Sequence, residues 1–573
     1  MKKLFKYMRG YRLSCVLAPL FKVLEACFEL FIPLVVASII DVGIENGDRG
    51  YIAKCCGIMI ALGAIGLLCT LVAQYLSAKT AVGFATNIRH FLFKHISSLS
   101  YTEIDTLGTS TLITRMTNDI NQVQSGVNLT LRLFMRSPVI VFGAMIMSFI
   151  VDPYASLVFT VTIPLLSVVV FGIILSTIPL YKKVQGRLDK VLNTSRENLS
   201  GAKVIRAFGL ESSEMDKFHR QTEELSVAQR FVGKISAIMN PATYAIVNIS
   251  ISFLIYRGAI QVNWGNLTQG EVIALYNYMS QILIELIKLA NLIVSITKAV
   301  ACGNRIEAVL EVTPSQHSGS VNSSFDKADL SVEFKNAYLR YKSSPEYTLE
   351  DISFTAKAGQ SVGIIGGTGS GKSSLVNMIT RFYDAEKGQV LINGLDVRDY
   401  DLASLRENIG VVPQKAVLFR GTLRDNMRWG NKNATDEDIV NAIETAQAKD
   451  ILESKAEGLD LMIEQGGRNL SGGQRQRFTI ARALVGKPKI LILDDSSSAL
   501  DYATDAKLRQ ALCKIDFKPC IFIVSQRTAS IMHCDKIIVL DDGKIAGIGT
   551  HNELLESCDV YSEIYNSQFK EEE

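Results

Sequence analysis

Six long apolar runs fill the first three hundred residues, and none is broken by a cluster of turn residues. They cover about 13–40, 52–84, 127–151, 154–181, 235–260 and 271–300, each long enough to cross a bilayer as a helix. The intervals alternate in kind. Those at 41–51, 152–153 and 261–270 are short, with Arg49 their only basic residue, whereas the stretches after the second and fourth runs are long, polar and rich in Lys and Arg. With Lys2, Lys3, Lys6, Arg9 and Arg12 at the start, this bias predicts that both termini face the cytoplasm. No small-residue cleavage site follows a short apolar core, so the basic start is read as retained. From Gly303 to Leu330 the chain carries Pro314, Gly319 and a Ser/Asn cluster and reads as a linker. Short strand-like runs then alternate with helical ones over 331–569, which predicts an α/β sheet domain, and 570–573 reads as a solvated acidic tail.

Composition sharpens this division. A hydrophobic fraction of 48% is high for a wholly soluble chain of 573 residues and agrees with a transmembrane domain over 1–302. A net charge of +3 singles out no acidic partner, and no nucleic acid is expected. Ten cysteines are scattered without zinc-ligand spacing and read as free thiols. Ionisable groups inside apolar helices usually face a bundle interior or a watery cavity. Glu25, Glu29, Arg132, Arg136, Glu285 and Lys288 are therefore candidates for a cavity wall, with structural pairing as the competing reading. Lys22 is spaced to pair with Glu25 at i, i+3.

The chemistry lies in the second half. Gly366-Gly367-Thr368-Gly369-Ser370-Gly371-Lys372-Ser373 follows the apolar run Ser361–Ile365 and precedes a helical run opened by Ser374. In that context, glycines free backbone N–H groups to cradle phosphates, Lys372 reaches the β- and γ-phosphates, and Ser373 offers a hydroxyl to Mg²⁺. About a hundred residues later, Leu470-Ser471-Gly472-Gly473-Gln474 opens a second helix. The run Ile490–Leu493 then delivers Asp494, a carboxylate at a strand tip where a Mg²⁺ ligand belongs.

This set, LSGGQ between a phosphate loop and an Ile-Leu-Asp strand, resembles the ATP-binding cassette (ABC) ATPases, and the whole chain resembles an ABC exporter half-transporter. The resemblance implies a multidomain membrane protein, with a six-helix all-α transmembrane domain followed by an α/β P-loop ABC ATPase domain. It implies ATP and Mg²⁺ as cofactors. Tyr341 takes the place of the aromatic that stacks on adenine. Gln414, after Val411-Val412-Pro413, takes the Q-loop place, touching Mg²⁺ and sensing coupling helices near 103–117 and 198–209. Ser498-Ala499-Leu500-Asp501 takes that of the D-loop, and the signature residues act on the nucleotide held by a partner cassette.

Two positions depart from the family pattern. Asp495 stands where the family usually has the glutamate that polarises the attacking water, and Gln526 where it has the switch histidine. Together they describe a site that binds ATP and hydrolyses it slowly beside an intact signature. That combination resembles the degenerate-site subunit of bacterial heterodimeric multidrug-type exporters. The expected partners are a second, different half-transporter carrying the glutamate and histidine, a lipid bilayer (the plasma membrane) and an amphipathic substrate. Lipid or peptide export, or a non-transporting ATP-gated sensor, are the alternatives.

Overall fold

The computed structural model describes residues 2–322, 330–342 and 344–569. Part of the linker and the acidic tail at 570–573 lie outside the described residues. The chain forms two compact units, 1–95 with 110–311, and 96–109 with 312–573.

The first unit is all helical, and six of its helices are long and apolar enough to cross a membrane. They run well past the apolar windows of the sequence. The second spans Arg49–Ser98, the fourth Pro153–Ser200, and the sixth Gln269–Leu310. At 1.5 Å per residue the 48 residues of the fourth helix measure about 70 Å, more than twice a hydrocarbon core. The polar segment 182–234 is almost entirely helical. It is interrupted at Gly201 by the short helix Ala202–Ala207 and resumed by Glu211–Ala237. The third run begins earlier than its apolar window: helix Ile120–Leu133 leads through a turn at 134–135 into Arg136–Val151. The linker likewise starts after Leu310, not at Gly303.

The sixth helix is the centre of this unit. Its buried face, including Leu275, Tyr278 and Ile282, packs with Leu30, Val141, Phe159 and Leu254 from four other helices. Tyr278 is fully buried and donates its hydroxyl to the Leu30 carbonyl at 2.7 Å, so its polar end is satisfied inside the apolar layer. The N-terminus of that helix is closed by Asp41, which accepts from Gly270 N at 2.7 Å and Thr268 Oγ1 at 2.6 Å, a carboxylate at the positive end of the helix dipole. A side chain at Gly270 would meet the Ala37 carbonyl at 2.4 Å, so this contact requires glycine.

The second unit is an α/β domain with a mostly parallel six-stranded sheet. Its order is Lys544–Gly549, Lys536–Asp541, Ser361–Gly366, Cys520–Val524, Ile490–Asp494, Ile409–Val412. All neighbours are parallel except the first pair. Near-continuous Val, Ile and Leu make the five parallel strands buried on both faces, whereas the antiparallel edge strand Lys544–Gly549 stays partly exposed. An antiparallel sheet of Leu349–Lys357, Ser331–Leu339 and Lys387–Ile392 covers one side. Parallel strands end together, so Gly366, Asp494 and Val524 bring their following loops to one edge, where α/β sheets place their ligands.

The helix Tyr101–Leu107 belongs to this second unit although it lies between the second and third long helices in sequence. It is shorter than the expected 103–117 element. Gly108, at φ +77°, ends it, and Thr109–Thr114 starts the next long helix. Tyr101 packs on Phe382 at 4.7 Å between centroids, and Tyr383 donates to Asp105 at 2.6 Å.

Candidate functional site

The phosphate loop leaves its strand at Gly366 and enters the helix Lys372–Ile379. Gly369 and Gly371 adopt φ of +90° and +91°, where a side chain is strained. A Cβ at Gly371 would also approach Leu349 Cδ2 at 2.7 Å and the Thr348 carbonyl at 2.9 Å. Lys372 is buried and donates to the carbonyls of Gly367 at 2.6 Å and Gly366 at 3.0 Å. Burial lowers its pKa, against the pull of Asp495 and Asp494. The ammonium, which also lies 3.4 Å from the Ser370 hydroxyl, is thus held at the loop by neutral groups, an arrangement that favours an arriving anion.

The loop borders a cleft of about 240 Å³ lined by Thr368, Gly369, Gly371, Lys372, Ser373 and Ser374. Thr348, Gln414, Asp494, Asp495, Val524, Ser525 and Gln526 complete its lining. Strand tips therefore bring together the phosphate loop, the Q-loop residue and both departing positions. Ser373 donates to Asp494 at 2.9 Å. Burial pushes the Asp494 carboxyl up, and the neighbouring Asp495 adds to this against Ser373 and Lys372. A hydroxyl and a half-buried carboxylate beside a second carboxylate form an oxygen donor set suited to a hard cation. Asp495 has φ +47°, a left-handed conformation that aspartate tolerates better than most residues. Its N–H donates to the Val524 carbonyl at 2.9 Å, and its carboxylate accepts from Gln414 Nε2 at 3.2 Å.

Gln526 is exposed in the cleft, and its backbone is held from an unexpected direction. Gln568, in the final helix Asp559–Phe569, donates to the Gln526 carbonyl and accepts from Thr528 N, both at 2.8 Å. No motif marks Gln568, so the sequence analysis passed over it. Thr348 and Ser525 were also missed, because they line the cleft only through the way strands end.

Other expected residues lie elsewhere. Tyr341 is not on the cleft wall. Its ring sits edge-on to Tyr383 at 4.9 Å, and its hydroxyl shares a 2.8 Å hydrogen bond with Ser374. Gly366, Gly367 and Ser370 support the loop from outside the cleft lining. None of Leu470, Ser471, Gly472, Gly473 and Gln474 lines the cleft either. Leu470 is buried in the core. Ser471 and Gln474 form a capping box for the helix Gly472–Val485, with Ser471 N donating to Gln474 Oε1 at 2.9 Å. The signature abuts the D-loop, since a Cβ at Gly473 would sit 3.1 Å from the Ala499 carbonyl. In that loop Ser498 donates to the Asp495 carbonyl at 2.8 Å, Leu500 is buried, and Asp501 caps the helix Tyr502–Cys513.

In the first unit, five of the six cavity candidates form one ionic network. Arg136 contacts Glu285 at 2.5 Å, Glu29 at 2.7 Å and Glu25 at 3.7 Å, while Lys22 pairs with Glu25 at 2.6 Å and Lys288 with Glu285 at 2.8 Å. Three cations match three carboxylates, which is how helices carry charge at membrane depth. Arg132 stays outside this network, and its buried Nε has no hydrogen-bond partner among the described residues. All ten cysteines are free.

Comparison with known proteins agrees with this organisation. The ABC transporter transmembrane region family matches residues 15–286, and the ABC transporter family matches 349–498. An uncharacterised ABC transporter ATP-binding protein of Mycobacterium tuberculosis (strain ATCC 25618 / H37Rv) is 35% identical over 568 residues, covering 98% of this chain and 97% of its own. YfiB of Bacillus subtilis (strain 168), also an uncharacterised ABC transporter ATP-binding protein, is 34% identical over 572 residues, 100% of this chain and 99% of its own. An ATP-dependent lipid A-core flippase of Shigella flexneri is 28% identical over 569 residues, 99% of this chain and 97% of its own. The fold is that of a bacterial Atm1-family ABC exporter solved with ATP bound, at a TM-score of 0.80 and 22% identity over 98% of this chain and 99% of that one. The chain therefore belongs to the ABC transporter family, as a multi-pass membrane protein that carries its membrane region and its ATP-binding ATPase domain on one polypeptide.

Proposed function

We propose that this chain is one half of a heterodimeric exporter and that its own ATP site is the slow one. The observation that carries this reading is the cleft itself. It gathers Lys372, Ser373 and Asp494, the groups that bind, with Asp495 and Gln526, the two groups least suited to hydrolysis. Lys372 would exchange its carbonyl partners for phosphate oxygens. Ser373, Asp494 and Gln414 would hold Mg²⁺, which supplies neutralisation of phosphate charge. Asp495 is one methylene shorter than glutamate, so its carboxylate falls about an ångström short of a water aligned for attack, and such a misplacement costs roughly 10²-fold. Gln526 can donate a hydrogen bond to a phosphate oxygen and cannot take up a proton. Tyr341 stacks on adenine after its ring leaves Tyr383.

The intact signature, outside this cleft, would complete a partner's site. A partner also suits the helix Ala202–Ala207, which has no buried residue and ends beside Phe208, 73% exposed. The cargo is an amphipathic small molecule carried across the plasma membrane, with both termini in the cytoplasm. Lipid is the second reading, favoured by the similarity to the lipid A-core flippase.

Two experiments test this. The purified lone chain binds ATP with Mg²⁺ and turns over slowly, and Asp495→Glu with Gln526→His raises its rate. A lone wild-type rate of about 1 s⁻¹ or more, usual for enzymes, contradicts the slow-site reading. For topology, an impermeant thiol reagent reaches cysteines placed at Asp48 or Asn266 in intact cells. Labelling at Lys190 would reverse the orientation.

A further inference from the structure

A groove of about 570 Å³ runs between the fourth and fifth long helices, beside the turns at 152–153 and 264–268. Its walls are apolar stripes, Val158, Val161 and Leu165 facing Ile249 and Phe253. Ser250 donates to the Ile246 carbonyl at 2.8 Å, and the single Thr162 proton goes to Ser250 at 2.9 Å or to the Val158 carbonyl at 2.7 Å, so both hydroxyl protons of the groove bottom are used within the protein. The opposite face of the fifth helix is closed off: Leu254 is buried, and a Cβ at Gly258 would meet Val272 at 2.9 Å. The groove face is open, with Val161 68% and Ile249 70% exposed.

One charge stands in this groove. Arg257 is the only charged residue between Ile235 and Asn263, and among the described residues no carboxylate pairs with it. It follows Ile249 and Phe253 at four-residue spacing and precedes Gln261, so the stripe passes from apolar to cationic to amide towards the helix end. Six residues separate Arg257 from Asn263, about 9 Å of helix, which puts the guanidinium within reach of a headgroup layer. A guanidinium beside an apolar wall calls for water or an anion, and its fork fits phosphate oxygens.

We propose that this groove binds an anionic phospholipid of the surrounding bilayer, one acyl chain between the two helices and its phosphate on Arg257. A helix from another chain would have to bring a carboxylate to the same point, whereas an anionic lipid supplies both the apolar chain and the charge. The lipid is a resident ligand, and the inference depends on the membrane-spanning helices and not on which molecule is exported.

The test uses the assembled transporter in nanodiscs of phosphatidylcholine containing a trace of photoactivatable phosphatidylglycerol or phosphatidylcholine. The expected result is several-fold more phosphatidylglycerol adduct on peptides from these two helices. Arg257→Gln lowers that labelling to the phosphatidylcholine level, and Val161→Trp, which fills the groove, lowers both. Equal labelling by the two lipids in the wild-type transporter, a comparison that needs no variant, overturns the proposal. So does no adduct on either helix, the sign of a groove covered by protein. ATP-driven movement of the photolipid between leaflets that is lost in Arg257→Gln would make it cargo and equally contradict a resident lipid.

Discussion

Asp495 and Gln526 reach the same cleft from adjacent strands, and both are held by neighbours that no motif names. Asp495 accepts from Gln414, and the loop of Gln526 is gripped by Gln568. Two neutral hydrogen bonds at about 0.5–1.5 kcal/mol each fix that loop, so their loss is worth roughly tenfold in a rate that depends on it. Adding Gln568→Ala to the Asp495→Glu, Gln526→His chain should therefore lower the regained kcat about tenfold while leaving ATP affinity near its former value. An unchanged kcat would show that the final helix does not position the switch residue. Lys372 and Asp494, which line the cleft, were legible in the sequence because phosphate and metal chemistry fixes both type and spacing, and Gln414 only through the resemblance to the family. Gln568 was not, since a glutamine that grips backbone atoms has no required neighbours in sequence. The ring of Tyr341 was placed by family pattern, and the nearby Tyr383, forty-two residues on, decides where it packs.

The helices extend beyond the apolar runs for a definable reason. Apolar windows mark only the part of a helix that meets lipid; Lys182–Ser200 and Glu211–Lys234 hold no proline, and their single glycines, Gly186 and Gly233, are carried within the helices. Their polarity signalled water, not loop. The short helix Tyr101–Leu107 shows the reverse case, a local signal that was present and overlooked. Ser100 and Glu103 form a capping box, with Glu103 accepting from Ser100 N at 3.2 Å and Ser315 N at 3.4 Å and lying 3.4 Å from Lys342 Nζ. Burial opposes the charge on Glu103, but hydrogen bonds from Ser100, Ser315 and Lys342 outweigh it and hold the carboxyl below its ordinary range. Its contribution is thus fully present above the unfolded-state value near 4.3 and is lost as pH falls through the lower folded one. Glu103→Gln should raise hydrogen exchange across Tyr101–Leu107 at neutral pH, and the wild type should approach that level only in strong acid. Equal protection in both proteins at neutral pH would remove Glu103 from the account.

At the scale of the whole molecule, the family and the two-part architecture were legible from the sequence, because six apolar runs and a phosphate loop with its signature leave few other arrangements. The proposed pairing with a different half-transporter rests on the division of labour between the cleft and the signature. The decisive measurement is steady-state ATPase of the assembled pair carrying Gly473→Glu or Lys372→Ala on this chain. Gly473→Glu directs a carboxylate at phosphates in the partner's site, where like charges at close range cost several kcal/mol. Gly473→Ala is the control, since a Cβ there already presses the Ala499 carbonyl at 3.1 Å. On the proposed reading, Lys372→Ala weakens phosphate binding only at this chain's own, slow site. The account predicts that Gly473→Glu nearly abolishes hydrolysis, Gly473→Ala much less so, and that Lys372→Ala leaves a measurable rate. Equal losses in Gly473→Glu and Lys372→Ala would mean two equivalent sites, and the reverse order would place the hydrolysing site on this chain's own phosphate loop.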